Sequence, residues 1–557
     1  MFKKNFLTVL LIVLLANQAF SQAKTQKTST SPATKYPAKI DRPKLVVGLV
    51  VDQMRWDYLY KYYKRYGDGG FKRIINEGFS AENTYIPYTP TYTACGHASI
   101  YTGSVPSING IIGNNWYDTE LGKNMYCTED SSVKTVGSTS KAGEMSPKNL
   151  LTSTITDELR IATNYRGKTI ALSMKDRGSI LPGGHTANGS YWYDGETGNF
   201  ITSTFYMEKL PNWVEDYNRI KLANKFYEKN WTPLYALSTY VESTSDNKAY
   251  EGKFKGNDKT TFPYTLSSFI DKDFDIIRTT PHGNTFTLDF AKTAIVAENL
   301  GKDDDTDFLA VSLSSTDYIG HQFGPNSVEV EDTYLRLDKD LEEFFNYLDK
   351  QVGKGNYLFF ISADHGAAYV PGYMKENKLP AGTISNRTLK NGLNELIERK
   401  FKVQNAVTTV INNQVIYDQK VLENVDFKAV KAASTAWLKL QEGINDAVDL
   451  SAVASYPMPE LIKNRIQNGY NARRSGDVYF ILKPNWFDGG LTGTTHGAWN
   501  PYDSHIPLVF MGWNVKPGKT NKVYHMTDIA PTIAAMLRIP LPNGNIGVPI
   551  TEITNQK

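Results

Sequence analysis

The sequence predicts an α/β fold with a mostly parallel central sheet and helices on both of its faces. The first observation behind this prediction is a set of short apolar runs rich in β-branched residues, which is the pattern of strands buried on both faces. These runs are Leu45–Val51, 169–174, 308–313, 357–361 and 507–511. The second observation is that amphipathic, helix-like segments lie between the runs, and such alternation favours a parallel sheet.

The segments between the strands can be assigned in chain order. Residues 328–352 have an apolar stripe opposite charged residues, which predicts a long amphipathic helix. Residues 527–537 open with a capping threonine and predict a closing helix. Two stretches, about 178–279 and 367–479, do not follow the alternation, and the second contains a predicted hairpin at 410–417. We interpret both as insertions that form a cap on one sheet-based domain, residues 44–557.

The N-terminus has the features of a secretory signal. Lys3 and Lys4 precede an apolar stretch of 11 residues, and Ala19 and Ser21 place small side chains before a cleavage site. The apolar stretch is too short to cross a bilayer core of about 30 Å as a helix. We therefore expect residues 1–21 to be a cleaved signal peptide and residues 22–43 to be a flexible leader. The protein is then periplasmic or secreted, without a stable membrane anchor.

The net charge and the cysteine content indicate whether to expect nucleic acid as a partner and whether to expect a disulfide bond. The 557 residues carry 61 Lys and Arg against 58 Asp and Glu, a formal net charge of +3. Such a near-neutral chain, with no basic stretch, gives no electrostatic reason to expect nucleic acid as a specific partner. In an oxidising compartment we expect Cys95 and Cys127 to pair, with two free thiols as the alternative. The acidic run 303–305 is interpreted as a solvated loop in preference to a calcium site.

Metal-ligating residue types cluster at the ends of the predicted strands, where ligands bind in open α/β sheets. A single Asp there is often a helix cap, and a single His is often structural. Six residues of these two types at equivalent positions instead predict two divalent ions with open coordination positions. Mixed imidazole and carboxylate ligands favour two Zn²⁺, with Mn²⁺ or Co²⁺ as substitutes. The six residues are Asp52, Asp317, His321, Asp364, His365 and His496.

A hydroxyl-rich segment, residues 89–97, leads into a predicted helix. A hydroxyl group at a helix N-terminus lies beside backbone N–H groups and the positive end of the helix dipole, which together hold an anion. The segment therefore predicts a nucleophile, although a threonine-capped helix explains it equally well. Several hydroxyl groups lie here, and composition does not select one of them.

These motifs, in this order from Val47 to about Gly512, resemble the alkaline phosphatase superfamily of two-metal hydrolases. The likeness is greatest to the PafA-type alkaline phosphatases, which are close to the nucleotide pyrophosphatase/phosphodiesterase branch. The resemblance implies an alkaline phosphatase-like fold, a phosphothreonine formed on Thr93, and an Asn114 that contacts a phosphate oxygen. It also implies two metal sites, bridged by Thr93. One is formed by Asp317, His321 and His496, and the other by Asp52, Asp364 and His365.

Lys175 and Arg177 match the pair that PafA-type enzymes direct at the transferred phosphoryl group. The resemblance therefore implies an exported, metal-dependent alkaline phosphatase that hydrolyses small phosphate monoesters to an alcohol and inorganic phosphate. One alternative is a phosphodiesterase or phosphonate monoester hydrolase on the same fold. The other is a non-catalytic exported protein that binds glycans through its aromatic-rich insertions.

Overall fold

A computed structural model of the protein describes residues 40–555. The predicted signal peptide and nearly all of the predicted leader lie outside these residues, so both stay predictions. From Arg42 onward the described chain forms one compact unit. None of the helices within residues 40–555 combines the length and the apolar character that a membrane span requires.

The described residues contain nineteen strands, numbered here in chain order. They are β1 Leu45–Val51, β2 Phe79–Tyr85, β3 Asn115–Asp118, β4 Lys123–Tyr126, β5 Thr135–Val136, β6 Thr169–Ser173, β7 Gly189–Asp194, β8 Asn199–Ser203, β9 Asp307–Leu313, β10 Tyr357–Ser362, β11 Gly382–Ile384, β12 Val407–Ile411, β13 Gln414–Tyr417, β14 Ile444–Asp449, β15 Val478–Leu482, β16 Trp486–Asp488, β17 His505–Ile506, β18 Leu508–Gly512 and β19 Gly518–His525. Each of the five apolar runs in the sequence forms one of these strands.

The α-helices fall between the strands. They are Tyr58–Lys61, Phe71–Glu77, Thr93–Thr102, Pro106–Asn109, Ile155–Ala162, Asp176–Gly183, Asn212–Arg219, Leu222–Tyr227, His282–Ala297, Ser315–Phe323, Val328–Leu348, Pro371–Glu376, Asn386–Phe401, Phe427–Leu438, Glu460–Gly469, Pro501–Ser504, Ile529–Leu537 and Thr551–Thr554. The long predicted helix begins at Val328, where the Ser327 hydroxyl accepts the N–H of Val330 at 3.2 Å. Its apolar stripe is buried, as the amphipathic pattern predicts.

Eleven strands form the central sheet, in the order β17, β2, β18, β10, β1, β9, β6, β7, β8 and β5, with β19 beside β2. The five strands from β10 to β7 are parallel. On both sides of this block the next strands, β18 and β8, pair antiparallel. The predicted α/β class is confirmed. Parallel pairing occurs in this central block and again near one edge of the sheet, where β19 pairs with β2. An apolar run indicates that a strand is buried on both faces, and β18 is buried in this way like the parallel strands. The run does not indicate the direction in which the strand pairs.

Strand β1 lies in the middle of the sheet, and Asp52, the first metal-ligand candidate, follows it directly. All seven of its residues are buried, and it pairs with β9 on one side and β10 on the other. Each fully buried Val or Leu side chain contributes about 1.5–3 kcal/mol to stability. Because these three strands run in the same direction, the residues that follow them meet at one edge of the sheet.

The predicted boundaries of the first insertion differ from the observed topology. Residues 189–194 and 199–203 form β7 and β8, and β7 extends the parallel block beside β6. These strands are rich in aromatic and polar residues, so they lack the apolar signature of β1. About the first quarter of the segment 178–279, up to Ser203, therefore contributes strands to the central sheet.

The second insertion contains its own sheet, in the order β12, β13, β15 and β14. The predicted hairpin is present, since β12 and β13 pair antiparallel. Strand β15 completes this sheet at Val478–Leu482, so the segment extends beyond the predicted boundary at residue 479. The sheet packs with its own helices around a separate apolar core.

The expected disulfide is not formed, because Cys95 and Cys127 are both buried free thiols. Burial raises the pKa of both thiols, that of Cys127 to about 12, so they stay protonated and unreactive at neutral pH. The acidic run 303–305 lies at the surface, where the Asp305 carboxylate pairs with the Arg166 guanidinium at 2.8 Å. This ion pair agrees with the prediction of a solvated loop.

Candidate metal centre and nucleophile

The six predicted ligand residues meet at one end of the parallel strands in two groups. Asp317, His321 and His496 form the first group, and Asp52, Asp364 and His365 form the second. Within each group, one candidate ligand atom from every residue lies within 4.8 Å of the others. The parallel strands β1, β9 and β10 explain this meeting, because their ends lie side by side.

The two histidines of the first group are held by contacts between their Nδ1 atoms and backbone carbonyls. The Nε2 atom of His321 lies 3.1 Å from Oδ1 of Asp317, and that of His496 lies 3.8 Å from the same oxygen. The Nδ1 atom of His321 is 2.8 Å from the carbonyl of Thr494, and that of His496 is 2.6 Å from the carbonyl of Thr91. Donation from each Nδ1–H fixes the ring and leaves Nε2 free to bind a metal ion.

The second group is more deeply buried. Asp52, Asp364 and His365 are each 0 % exposed. The Nε2 atom of His365 lies 3.5 Å from Oδ1 of Asp52 and 3.4 Å from Oδ2 of Asp364. Its Nδ1 atom is 2.9 Å from the carbonyl of Gly366. This histidine therefore presents Nε2 to the carboxylates, as the two histidines of the first group do.

Burial and mutual repulsion perturb the ionisation of the second group. Burial raises the pKa of Asp364, and the nearby Asp52 carboxylate raises it further. Burial also raises the pKa of Asp52, with a second contribution from Asp317. Burial lowers the pKa of His365 to about 3. A neutral imidazole is the form that binds a metal ion.

The donor set fits two divalent cations. Asp52 Oδ1 and Asp364 Oδ2 are buried and have no hydrogen-bond partner among the described residues. Leaving a buried carboxylate oxygen unpaired is costly, by more than the roughly 1–3 kcal/mol of a neutral group. A cation between these carboxylates would satisfy both oxygens and offset the repulsion between them.

Thr93 is the first residue of the helix Thr93–Thr102 and is 1 % exposed. Its Oγ1 lies 3.3 Å from Nε2 of His365, a member of the second group. The helix approaches the ligands closely because residue 96 is glycine. A Cβ atom at Gly96 would lie 2.5 Å from the Cβ and carbonyl oxygen of Asp364.

Asn114 lies beside the nucleophile candidate and caps its helix. Its Oδ1 accepts the backbone N–H of Ala94 at 2.9 Å. That N–H is one of the groups expected from the sequence to bind an anion, and the Asn114 side chain occupies it instead. Since Oδ1 faces Ala94, the amide Nδ2 is the Asn114 group available to a ligand.

Lys175 lies between the two ligand groups. Its Nζ is 2.7 Å from Oδ2 of Asp52 and 2.6 Å from Oδ2 of Asp317. Burial lowers the pKa of Lys175, but the two carboxylates outweigh burial, so that its pKa is raised and the side chain stays charged. The lysine thus joins the first group to the second.

Arg177 lies just beyond Lys175 and is held from behind by a tyrosine. Its Nη1 donates to the Tyr126 hydroxyl at 2.9 Å, and that hydroxyl donates to Oδ1 of Asp176 at 2.8 Å. The Nε–H of Arg177 is buried without a protein partner among the described residues. This N–H is an available donor for an anionic ligand.

Two further residues contact the ligands, and neither was predicted from the sequence. The backbone N–H of Gln53 donates to Asp364 at 3.1 Å, and its side chain donates to Asp317 at 2.7 Å. His97 is fully buried, with Nδ1 2.9 Å from the Thr93 carbonyl and Nε2 2.8 Å from the Ser312 hydroxyl. The only sequence signals for them were that Gln53 follows Asp52 and that His97 is the last residue of the hydroxyl-rich segment.

Comparison with known proteins shows which family model and which relatives the chain matches. Residues 46–503 match the family model described as type I phosphodiesterase / nucleotide pyrophosphatase. The alkaline phosphatase PhoV of Synechococcus elongatus is 58% identical over 99% of this chain and 100% of the relative. A protein of Myroides odoratus named calcium-transporting ATPase is 54% identical over 93% of this chain and 96% of its own length.

The alkaline phosphatase PafA of Elizabethkingia meningoseptica is 51% identical over 92% of this chain and 95% of the relative. A crystal structure of wild-type PafA matches with a TM-score of 0.91 at 50% identity, covering 92% of this chain and 99% of that one. PafA has also been crystallised with a threonine, an asparagine, a lysine and an arginine substituted together.

Proposed function

Since this chain belongs to the type I phosphodiesterase / nucleotide pyrophosphatase family and is an alkaline phosphatase, we propose that it hydrolyses phosphate monoesters through a phosphothreonine on Thr93. The proposal includes two Zn²⁺ as cofactors and export to the periplasm or medium. Because the chain is an alkaline phosphatase, the alternative of a non-catalytic, glycan-binding protein is excluded.

The observation that carries the proposal is the position of the Thr93 hydroxyl. It lies 3.3 Å from His365, in the ligand group whose carboxylates hold two buried oxygens without partners among the described residues. A hydroxyl group needs activation before it attacks phosphorus. Bound divalent cations would supply Lewis acidity, lowering the pKa of this hydroxyl and offsetting charge on the departing oxygen.

The residues of the chain then have distinct roles. Oγ1 of Thr93 forms a bond to phosphorus while the bond from phosphorus to the ester oxygen breaks, and the alcohol leaves after taking up a proton. Water then attacks the phosphothreonine and releases inorganic phosphate, which restores the hydroxyl. Each of the three histidines donates its Nδ1–H to a backbone carbonyl throughout the reaction, so its Nε2 atom stays directed at the site. They are His321, His365 and His496.

We assign the binding of the phosphoryl oxygens to three side chains. Asn114 offers its Nδ2, and Arg177 offers the N–H groups that Tyr126 leaves free. Lys175 adds a compact positive charge between the ligand groups. A monoester carries two negative charges and a diester carries one, so two cations here favour a monoester.

The PafA variant supports these assignments through its spacing. Its substituted threonine and asparagine are 21 positions apart, and its substituted lysine and arginine are two apart. The same separations divide Thr93 from Asn114 and Lys175 from Arg177.

Zinc is the cation that the donor types favour, because each group combines imidazole nitrogen with carboxylate oxygen. Elemental analysis of the purified protein tests this part directly, and we expect about two zinc ions per chain. The protein should first be expressed with its N-terminus intact. Its mature form is then expected to begin at Gln22, which mass spectrometry of the exported protein measures.

The nucleophile is tested by changing Thr93→Ala. We expect phosphate release from para-nitrophenyl phosphate to be abolished while the zinc content stays unchanged, because Thr93 is not needed to assemble either carboxylate and histidine group. Acid quenching of the unmodified enzyme during turnover should trap one phosphoryl group on the peptide that contains residue 93. Undiminished activity of Thr93→Ala, or a phosphoryl group on another peptide, would contradict the proposal.

A further inference from the structure

The hairpin formed by β3 and β4 carries two groups of the proposed site. Asn114 directly precedes β3, and Tyr126, which contacts Arg177, is the last residue of β4. Asn115 and Tyr126 face each other where the two strands pair, and the N–H of Cys127 donates to the Asn114 carbonyl at 2.9 Å. The positions of both groups therefore depend on how this hairpin is held.

The turn between β12 and β13 of the second insertion contacts this hairpin beside Asn114. Its two central residues, Asn412 and Asn413, have φ values of 56° and 59°, which asparagine and glycine adopt readily in two-residue turns. The Nδ2 of Asn412 donates to the Asn115 carbonyl at 2.7 Å. A Cβ atom at Gly113 would lie 2.6 Å from the same Nδ2, so glycine at that position permits the contact. The amide thus fixes the backbone on both sides of Asn114.

An arginine of the same insertion makes a second set of contacts with the hairpin. The Nη1 of Arg474 donates to the carbonyls of Gly110 and Asn149, at 2.6 and 2.7 Å. Its guanidinium lies over the ring of Trp116, a buried residue of β3, at 5.0 Å from the ring centroid. The Asn149 side chain in turn donates to the Cys127 carbonyl at 3.2 Å. Arg474 therefore supports β3 through its tryptophan and the end of β4 through Asn149.

A third contact between the insertion and the hairpin is of a different kind. Arg473 pairs with Glu120 at 2.6 Å, but the two side chains are 72 % and 63 % exposed. Such an exposed ion pair contributes only about 0–1 kcal/mol and leaves both side chains flexible. Asn412 and Arg474 are buried and half-buried, and they donate to backbone carbonyls. These two residues can therefore fix the hairpin backbone, which the exposed pair does not.

We propose that Asn412 is a positioning residue for this reaction, with Arg474 supporting the same hairpin. Asn412 acts through the Asn115 carbonyl and sets the backbone of Asn114, so that the Asn114 Nδ2 faces the phosphoryl group. The Asn114 Oδ1 is already committed to the N–H of Ala94, so a shift of the Asn114 backbone breaks that bond or misdirects Nδ2. This inference rests on the proposed function, because it needs Asn114 to bind a phosphoryl oxygen.

The test removes the Asn412 amide and keeps the turn. Glycine accepts the positive φ, and for Asn412→Gly in the zinc-loaded enzyme we expect kcat/KM for para-nitrophenyl phosphate to fall about fivefold, because one hydrogen bond is lost. The inhibition constant of inorganic phosphate should rise by a similar factor, since Asn114 contacts product and substrate alike, and the zinc content should be unchanged. Asn405→Gly is the matched control, because Asn405 is an exposed asparagine of the same insertion with a φ of 56°.

Arg474→Lys gives a second measurement with the positive charge retained. Lysine lacks the planar guanidinium that lies on the Trp116 ring, so we expect about a fivefold loss of kcat/KM here as well. Arg473→Lys is the control and should leave kcat/KM unchanged, because its ion pair is exposed. Equal values in the two lysine variants would overturn the role of Arg474.

A double-mutant cycle separates positioning from a purely structural role. In an Asn114→Ala background, Asn412→Gly should cause no further loss, because the group that it positions is gone. Additive losses, an unchanged kcat/KM in Asn412→Gly, or a loss of the same size in Asn405→Gly would overturn the inference. Failure of the proposed function has a different signature, because Asn114→Ala would then keep full activity or Thr93→Ala would still release phosphate.

Discussion

At the scale of single residues, the site depends on a few charged groups that face one another without solvent. Lys175 is 4 % exposed and contacts a carboxylate of each ligand group, so its charge is screened very little. Arg177 reaches the same region and is oriented by Tyr126. Such groups act on the phosphoryl charge, and their effects should depend on the charge of the substrate.

We predict that Lys175→Ala and Arg177→Ala each lower kcat/KM for para-nitrophenyl phosphate by about 100-fold, as removal of a fixed electrostatic donor does elsewhere. The loss for bis-para-nitrophenyl phosphate should be much smaller, because a diester carries one negative charge. Steady-state kinetics with both substrates measure the difference. If the unmodified enzyme prefers the diester, the assignment to monoesters is wrong and the phosphodiesterase alternative takes its place.

Tyr126→Phe tests whether the tyrosine positions Arg177. Removing the hydroxyl leaves the ring packing intact and deletes the contact with Nη1, so we expect about a tenfold loss of kcat/KM for the monoester, or about 1.4 kcal/mol. The same change in an Arg177→Ala background should have no further effect, because the group that it orients is gone. Additive losses in this double-mutant cycle would show that Tyr126 acts independently of the arginine.

At the scale of elements, the helix that begins at Thr93 must pack against the end of β10. Gly96 provides the space, since any Cβ there would overlap Asp364. Two hydrogen bonds also hold the first turn of the helix: Asn114 Oδ1 accepts the N–H of Ala94, and the His97 ring donates to the Thr93 carbonyl. Its position relative to the ligands is thus fixed by contacts along its first turn.

We predict that Gly96→Ala moves this helix away from Asp364 and lowers both activity and zinc content. The added methyl group is small, and the cost of such overpacking is about 1–3 kcal/mol of folding free energy. Phosphate release, elemental analysis and thermal unfolding measure the three effects. Gly490→Ala is the control, because a methyl group added at that glycine would meet no other atom within 4 Å and its φ is not positive. Equal zinc content in both variants would refute the packing argument.

At the scale of the whole molecule, stability should fall with rising pH because of a pair of buried carboxyl groups that are not among the candidate metal ligands. Glu251 and Glu329 are 2 % and 0 % exposed, and each has an oxygen without a partner among the described residues. Burial raises the pKa of Glu329 to about 8, and burial together with Glu329 raises that of Glu251 to about 10. They join the first insertion to the helix Val328–Leu348, where Tyr264 donates to Glu329 at 2.5 Å.

The unfolded chain loses these protons near pH 4.5, whereas the folded chain keeps them to higher pH. The free energy of unfolding should therefore decrease as the pH rises from about 4.5 to about 8 and beyond. We predict that Glu329→Gln weakens this decrease, because glutamine stays neutral, and that it stabilises the protein at pH 9 relative to pH 5. Urea unfolding at the two pH values measures the effect. Glu343→Gln, an exposed change on the same helix, should leave the slope unaltered.

Local patterns were sufficient to predict four of the five strands of the parallel block and the candidate ligand residues near their ends. A strand buried on both faces needs an apolar run, so β1, β9 and β10 are visible in the sequence before any fold is known. Strands β7 and β8 were missed because their aromatic and polar side chains are buried by packing that the local pattern does not encode. The direction of β18 was missed for a related reason, since pairing partners are chosen at long range.

By itself, the sequence determined the fold class and the six candidate metal ligands, because both follow from short-range order and residue type. Only the tertiary structure decided that Lys175 lies between Asp52 and Asp317. It also brought Tyr126 behind Arg177 and the tip of the second insertion beside Asn115. These contacts join residues far apart in the chain, and their geometry depends on how whole elements pack, which no local pattern of side chains specifies.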